Sequence, residues 1–413
     1  MKNMFRSWRV VLVAVVLCFT YERASAAWAP LTPSAKFSVL TCSPGADLYS
    51  LFGHSAFRLQ DTIDGEPIDV VFNYGVFDAF DDGFYVKFAL GKLDYKLIAE
   101  HYEYFIQTYA SEGRGVWEQE LLLTPLQKQR LFDLLRSNVQ KENSVYRYDF
   151  FYDNCSSRIR DMVIRATASE PTDSLGFRFV ALDSLMKLNT IEFNSPCKRG
   201  TTYRQAIQKY LDYQPWSDFG IDLALGLPCD RVIGEYGFMF LPDSLMSELE
   251  MAKLDGSPLC AAPVELLPQR LELSANVFTS PFVIIVFWLL LHTWLTYRRR
   301  DAKGMLIHEG ILLSLVSLLS LLIVFLWFFT DHNATHGNWN LLWAGPLNLV
   351  IILFIRFHSV VKICSLLNLI ALGIMILAFA WLPQSLNVAT IPFAFMLIIT
   401  NYRLYRNARN IEH

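Results

Sequence analysis

Past residue 277 the chain carries five apolar runs, roughly 278–297, 305–329, 339–355, 363–382 and 386–402. Each approaches the ~20 residues that cross a bilayer as helix, the third and fifth being shortest. A segment in hydrocarbon must satisfy its own backbone polar groups, so such runs become helices. Residues 278–403 are therefore expected to form an all-α bundle of about five transmembrane helices, with 404–413 as a cytoplasmic tail. Loop charge gives the orientation. Arg298, Arg299, Arg300 and Lys303 follow the first run, Arg356 and Lys362 the third, and Arg403, Arg406 and Arg409 the fifth, whereas loops 330–338 and 383–385 hold no Lys or Arg. The positive-inside bias puts the basic loops in the cytoplasm and everything before residue 278 on the outer face.

The first residues agree. Lys2, Arg6 and Arg9 precede an apolar stretch, Val10–Thr20, too short to span, and Ala24-Ser25-Ala26 is an A-x-A cleavage site. Residues 1–26 read as a signal peptide and 27–256 as an exported α+β domain. A Pro-rich linker, 257–277, leads to the membrane. The expected location is a bacterial inner membrane, multi-pass, with the soluble domain in the periplasm. A net charge of -3 and no long basic tract give no indication of a nucleic-acid partner. No nucleotide motif and no C-x-x-C or H-E-x-x-H spacing is present, so no cofactor or metal is expected. Export makes five cysteines informative: Cys42, Cys155, Cys197, Cys229 and Cys260. Five is odd, and two disulfides among the other four would leave Cys155 free.

Cys155 has the best setting for chemistry. An aromatic, strand-like run from Tyr146 ends at Asp153-Asn154, and Cys155 opens a helix. Unpaired N–H groups at a helix start favour thiolate over thiol, and Arg158 and Arg160 are expected to push the same way. A base is needed, and His54 in LFGHSAFRL is the candidate. Asp64-Gly65 is a hairpin signal joining the strand through Leu59 to Asp69–Tyr74. Alternation puts Asn73 on a face that can meet His54, where its amide oxygen would orient the imidazole; Asp78 or Asp149 fits the same role. Cys155, His54 and Asn73 are then nucleophile, base and orienting amide. The backbone N–H of Cys155, with the side chain of Asn154 or a nearby hydroxyl such as Ser156 or Tyr148, is an oxyanion-donor set. The alternative reading is a structural disulfide at Cys155 and a core histidine at 54.

Two further stretches stand out. Trp216–Gly226 reads as an aromatic, acidic loop, either lining a groove or structural. The outer loop around Asp331, His332, His336, Asn338 and Asn340 is unusually polar for its length. It either completes the site and holds a lipid headgroup or acceptor, or simply anchors at the interface through Trp339.

Taken together, Ser43-Pro44-Gly45, Phe52-Gly53-His54-Ser55, Asn73-Tyr74-Gly75, Tyr148-Asp149-Phe150 and Asn154-Cys155-Ser156 resemble the Bacteroidetes-type lipoprotein N-acyltransferases (Lnb). The loop 331–340 followed by Pro346, and the stretch 216–226, resemble that family too. His-before-Cys order is similar to permuted papain-like folds such as the lecithin:retinol acyltransferase group, in which a cysteine takes an acyl chain from a phospholipid as a thioester. That group orients its histidine with a second one, absent here at the corresponding place; Asn73 matches the papain-like alternative. The resemblance implies acyl transfer from a membrane phospholipid, through Cys155, to the α-amine of S-diacylglyceryl-cysteine on apolipoproteins. A membrane-anchored cysteine hydrolase (cell-wall amidase or lipase) would share Cys155 and His54, and a non-catalytic envelope assembly factor would instead have Cys155 bridged.

Overall fold

The computed structural model describes residues 29–77, 83–169, 186–187, 189–194, 200–234, 236–298 and 303–411. The signal peptide, Asp78 and Cys197 lie outside the described residues.

The N-terminal part is built on strands β1 (Lys36–Cys42), β2 (His54–Ile63), β3 (Glu66–Val76), β4 (Asp94–His101), β5 (Val116–Glu120) and β6 (Val145–Arg147). Three two-residue strands, β7 (Ile191–Glu192), β8 (Lys253–Leu254) and β9 (Ser257–Pro258), form a small separate sheet, and β10 (Val264–Leu267) joins the large one. The large sheet is antiparallel, in the order β10-β5-β1-β2-β3-β4-β6. Asp64 (φ 53°) and Gly65 (φ 83°) form the β2–β3 turn, the left-handed pair a two-residue hairpin needs.

Both faces of this sheet are covered. Phe37, Val39, Phe57, Leu59, Phe72 and Tyr74 face helices α3 (Pro125–Val139) and α4 (Cys155–Thr167), through Leu131, Phe132, Ile159 and Val163. Alternation turns Leu40, Cys42, Ala56 and Val71 to the other face, against Phe105 and Tyr109 of α2 (Tyr102–Ser111). A short helix, α1 (Phe84–Ala89), precedes β4. After α4 come α5 (Tyr203–Gln208), α6 (Pro215–Ala224) and α7 (Pro242–Met251).

Three expectations change. Segment 257–277 is not a free linker along its whole length. Leu259 and Cys260 are buried, and β10 pairs with β5, covering a sheet edge that would otherwise expose unpaired backbone groups. Pro263 and Pro268 flank β10, so they do not break it. Trp216–Gly226 is mostly helix α6, not a loop. And Cys42, Cys155, Cys229 and Cys260 are free thiols. Cys42, Cys229 and Cys260 are buried in three different apolar clusters, so they serve as small core side chains rather than disulfide partners.

The C-terminal part is helical: α8 (Pro281–Arg298), α9 (Lys303–Phe328), α10 (Leu347–Leu353), α11 (His358–Ala378) and α12 (Thr390–Ile411). Among the described residues three segments are long and apolar enough to cross a membrane: Pro281–Arg298, Ile307–Phe328 and His358–Trp381. The stretch expected as a third crossing is interrupted. It is a 3-10 turn, Trp339–Leu342, a break at Gly345-Pro346, and the seven-residue α10. At 1.5 Å per residue that helix covers only about 10 Å.

The two parts meet in a polar joint. Asn338 Nδ2 donates to the Leu223 carbonyl at 2.7 Å, Asn340 Nδ2 to the Asp222 carbonyl at 3.1 Å, and Gln384 Nε2 to the Leu225 carbonyl at 2.9 Å. Gly226 N donates to Ala334 O and Leu227 N to His336 O. A methyl group on Gly226 would come within 2.0 Å of His336 O, so backbone contact this close requires glycine.

Candidate active site

Asn154 caps α4: its Oδ1 accepts from Ser157 N at 2.9 Å while Ser157 Oγ accepts from Asn154 N at 2.8 Å. This reciprocal cap starts the helix at Cys155, at the end of the sheet where β2 begins. His54 is the first residue of β2, on the face covered by α2. Cys155 belongs to a helix on the other face. They meet because Gly75, at a bulge in β3, places no side chain between them. A methyl group there would lie 3.7 Å from His54 Cε1, 3.8 Å from Cys155 Cβ and 3.9 Å from the Tyr146 hydroxyl. The φ of +91° is one that glycine adopts readily.

Asn73 completes the constellation. Its Oδ1 is 2.7 Å from His54 Nε2, and its Nδ2 donates to Glu100 Oε1 at 2.8 Å. The carboxylate accepts only, so it fixes which end of the amide faces the imidazole. With Nε2 engaged, Nδ1 is the ring nitrogen left for the thiol, to which His54 is hydrogen-bonded. Burial would raise the Cys155 pKa, but the His54 charge and hydrogen bond, with the Ser55 backbone N–H and the Ser156 hydroxyl, outweigh it and bring the thiol from 9.0 to about 7. Burial likewise works against a charged His54, and the Cys155 sulfur beside it, with Asn73, turns the net shift upward. The arrangement favours a thiolate–imidazolium pair near neutrality.

Other expected residues have different work. Asn154 Nδ2 donates to the carbonyls of Phe150 and Phe240, so its amide is spent on the cap and cannot serve an oxyanion. Asp149 Oδ1 accepts from the N–H groups of Phe151 and Tyr152, closing a turn rather than orienting His54. Ser156 is buried, 3.0 Å from Ser55 Oγ and 3.9 Å from the Cys155 sulfur. Tyr148 stacks on Tyr95 at 4.2 Å beside the site. Arg158 and Arg160 are paired with Asp153 and Asp161, which cancels the help expected of them. In the outer loop, Asn338 and Asn340 hold the joint. Asp331 bonds the Leu90 carbonyl through its N–H, and its carboxylate lies 3.8 Å from Arg147. His332 backs onto Gly91, and His336 gives its carbonyl to Leu227. These contacts tie the loop to the N-terminal part through Leu90, Gly91, Arg147 and Leu227. Glu100, Gly75 and the Ser55 N–H were not expected as contributors.

The segment just before His54 is tied, through α6, to the entry of the apolar helices. Leu48 and Tyr49, on the 3-10 turn just before His54, are mostly exposed. Gln214 Nε2 bonds the Ala46 carbonyl, tying this turn to the start of α6. Trp216 of α6 donates to Thr279 O at 2.8 Å, beside exposed Val277 and Phe278 at the entry to α8. Among the described residues no three His, Cys, Asp or Glu side chains gather as a metal set.

A sheet-and-helix domain carrying a thiol–imidazole–amide cluster, joined to apolar helices, defines a membrane protein with its reactive group outside the helical part. The family models make this specific. The Lnb N-terminal periplasmic domain matches residues 28–185 and the Lnb transmembrane domain residues 273–410, and the chain belongs to the Lnb family. It is thereby a membrane protein with a periplasmic domain, related to lipoprotein maturation. Searches of curated proteins and of solved structures returned no significant match.

Proposed function

We propose that this protein is a lipoprotein N-acyltransferase that moves an acyl chain from a membrane phospholipid to the α-amine of S-diacylglyceryl-cysteine on apolipoproteins. The observation that carries the reading is the His54–Cys155 pair, with the thiol brought to about 7 where β2 and α4 begin. The Cys155 thiolate attacks the ester carbonyl, forming C–S and breaking C–O, and His54 protonates the departing lysophospholipid alkoxide. The thioester keeps the acyl group activated. The acceptor amine then attacks, His54 takes its proton, and the C–S bond breaks to regenerate the thiolate. Asn73, held by Glu100, keeps the imidazole aligned through both proton transfers.

Transfer is favoured over hydrolysis by dryness. Tyr95 and Tyr148 stack beside the thiol, with Phe77 edge-on to Tyr95, and Phe52 packs on Phe150 at 4.6 Å. The free Cys155 thiol supports the catalytic reading over the assembly-factor one, in which it would be bridged. In this reading the periplasmic domain is permuted papain-like, histidine preceding cysteine. The helical part makes five crossings of the bacterial inner membrane, with the broken stretch 339–355 and α12 as the third and fifth.

Intact-mass analysis of purified protein with phospholipid alone is the test. One acyl chain on the Cys155 peptide, passed to a lipopeptide amine when that is added, is the expected result. Free fatty acid or a cut peptide with no N-acylated product would overturn it.

A further inference from the structure

Covalent attack by Cys155 on an ester creates an oxyanion, and the side chain first considered for it, Asn154, is committed to the helix cap. A donor is therefore missing beside the backbone N–H of Cys155. We propose that the Tyr146 hydroxyl is that second donor, which makes Tyr146 a catalytic residue. This rests on Cys155 reacting with an acyl carbonyl, but not on the identity of donor or acceptor.

The placement carries it. Tyr146 is buried, yet its hydroxyl has no hydrogen-bond partner. Leaving a buried hydroxyl without a partner is costly, so its persistence calls for a use. The same hydroxyl, the carbon bearing the Cys155 sulfur and the His54 ring are the three groups nearest the open side of Gly75, all within 4 Å of one point. An acyl carbon bonded to the sulfur would bring its oxygen into that space.

Its surroundings make the hydroxyl a donor rather than an acceptor. The Arg158 guanidinium lies 3.6 Å from the centre of the Tyr146 ring. Asp153 locks that guanidinium in place with bonds of 2.6 and 2.8 Å. A cation on the ring face draws electron density from the phenol and strengthens its O–H as a donor. Burial above all keeps the phenol protonated, its pKa well above the ordinary 10.0.

The experiment compares two reagents on full-length protein in detergent. Iodoacetamide alkylates Cys155 by direct displacement, with no oxyanion; a p-nitrophenyl acyl ester passes through one. Tyr146→Phe is expected to slow ester acylation of Cys155 by about 10²-fold, the scale of a lost oxyanion donor. Its alkylation rate and the pH midpoint of alkylation should stay as in wild type. Unchanged ester acylation overturns the proposal, and so does an equal fall in both reactions, which would make Tyr146 a support for the thiolate or the fold. If Tyr146→Phe melts early, 3-fluorotyrosine at position 146 replaces it. Keeping shape while altering hydroxyl acidity, it should change the ester rate and leave alkylation alone. The two readings fail separately: a wild type that accepts p-nitrophenyl ester but no phospholipid overturns the acyl-donor assignment and leaves the Tyr146 comparison intact.

Discussion

Removing the imidazole is the sharpest perturbation of this site. Cys155 stands at about 7 against an ordinary 9.0, so at pH 7 about half the thiol is ionised where a free cysteine would be about 1 %. That two-unit difference is worth about 3 kcal/mol of thiolate stabilisation. Burial opposes it and His54 supplies the largest opposing part. In His54→Ala the midpoint should return to 9 or above, a roughly 50-fold loss of thiolate at pH 7. A more basic thiolate is also more nucleophilic, by about 6- to 10-fold over two units at a Brønsted slope of ~0.4–0.5. The net fall in iodoacetamide alkylation at pH 7 is then roughly 5- to 8-fold, and the two rate profiles should cross near pH 8, the variant being faster above it. Peptide mass spectrometry across pH 5 to 10 reads this directly. Cys42, Cys229 and Cys260, whose thiols burial pushes up to about 12, act as silent internal controls. A His54→Ala profile that keeps a midpoint near 7, with no crossing, would refute the assignment and pass the effect to the helix start.

Four further outcomes follow from the same contacts. Asn73→Ala removes the acceptor for His54 Nε2; turnover should fall by about 10²-fold with an unchanged melting curve. Gly75→Ala adds strain of about 1–2 kcal/mol at positive φ and puts a methyl among His54, Cys155 and Tyr146, so thioester formation should drop further than the lost stability explains. Asp218 is raised to about 6 by burial first and then by Asp222. The stability of its protonated form is complete below the ordinary carboxylate value and lost as pH rises through about 6, so Asp218→Asn should raise the melting midpoint at pH 8 and barely change it at pH 5. Asn340→Leu strands the Trp343 indole N–H, now 3.0 Å from Asn340 Oδ1, and should cost about 1–3 kcal/mol, read by melting or by protease cutting at the joint.

Local chemistry was legible in the chain; long-range placement was not. Asp64-Gly65 announced its hairpin, and alternation along β2 and β3 put Asn73 on the face of His54, because both signals act over a few residues. Glu100 was hidden for the opposite reason. Nothing within β4 marks it, and its value to Asn73, 27 positions earlier, arises only when β3 and β4 pair in register. Asn154 misled because one amide can cap a helix or face an oxyanion, and the backbone carbonyls of Phe150 and Phe240 decide which. The outer-loop asparagines misled similarly. Their polarity is real, but it serves backbone carbonyls of α6 at the joint.

The reason a glycine sits at 75 reaches further than turn chemistry. Strand alternation forbids neighbouring side chains on one strand from sharing a face, so a helix-borne nucleophile on one side of a sheet is normally screened from a strand-borne base on the other. Here the base is the first residue of its strand and the nucleophile the first of its helix, so both stand at the sheet's end. Only the side chain of the next strand could separate them, and that position carries none. The N-cap at Asn154, the start of β2 at His54 and the bulge at Gly75 are therefore one device. Shifting any of them by a residue would turn Cys155, His54 or the gap between them away, while the core of Phe37, Phe57, Phe72 and Ile159 could remain packed. Fold stability and thiol activation rest on different residues, which is why substitutions at this end of the sheet should separate the two in measurement.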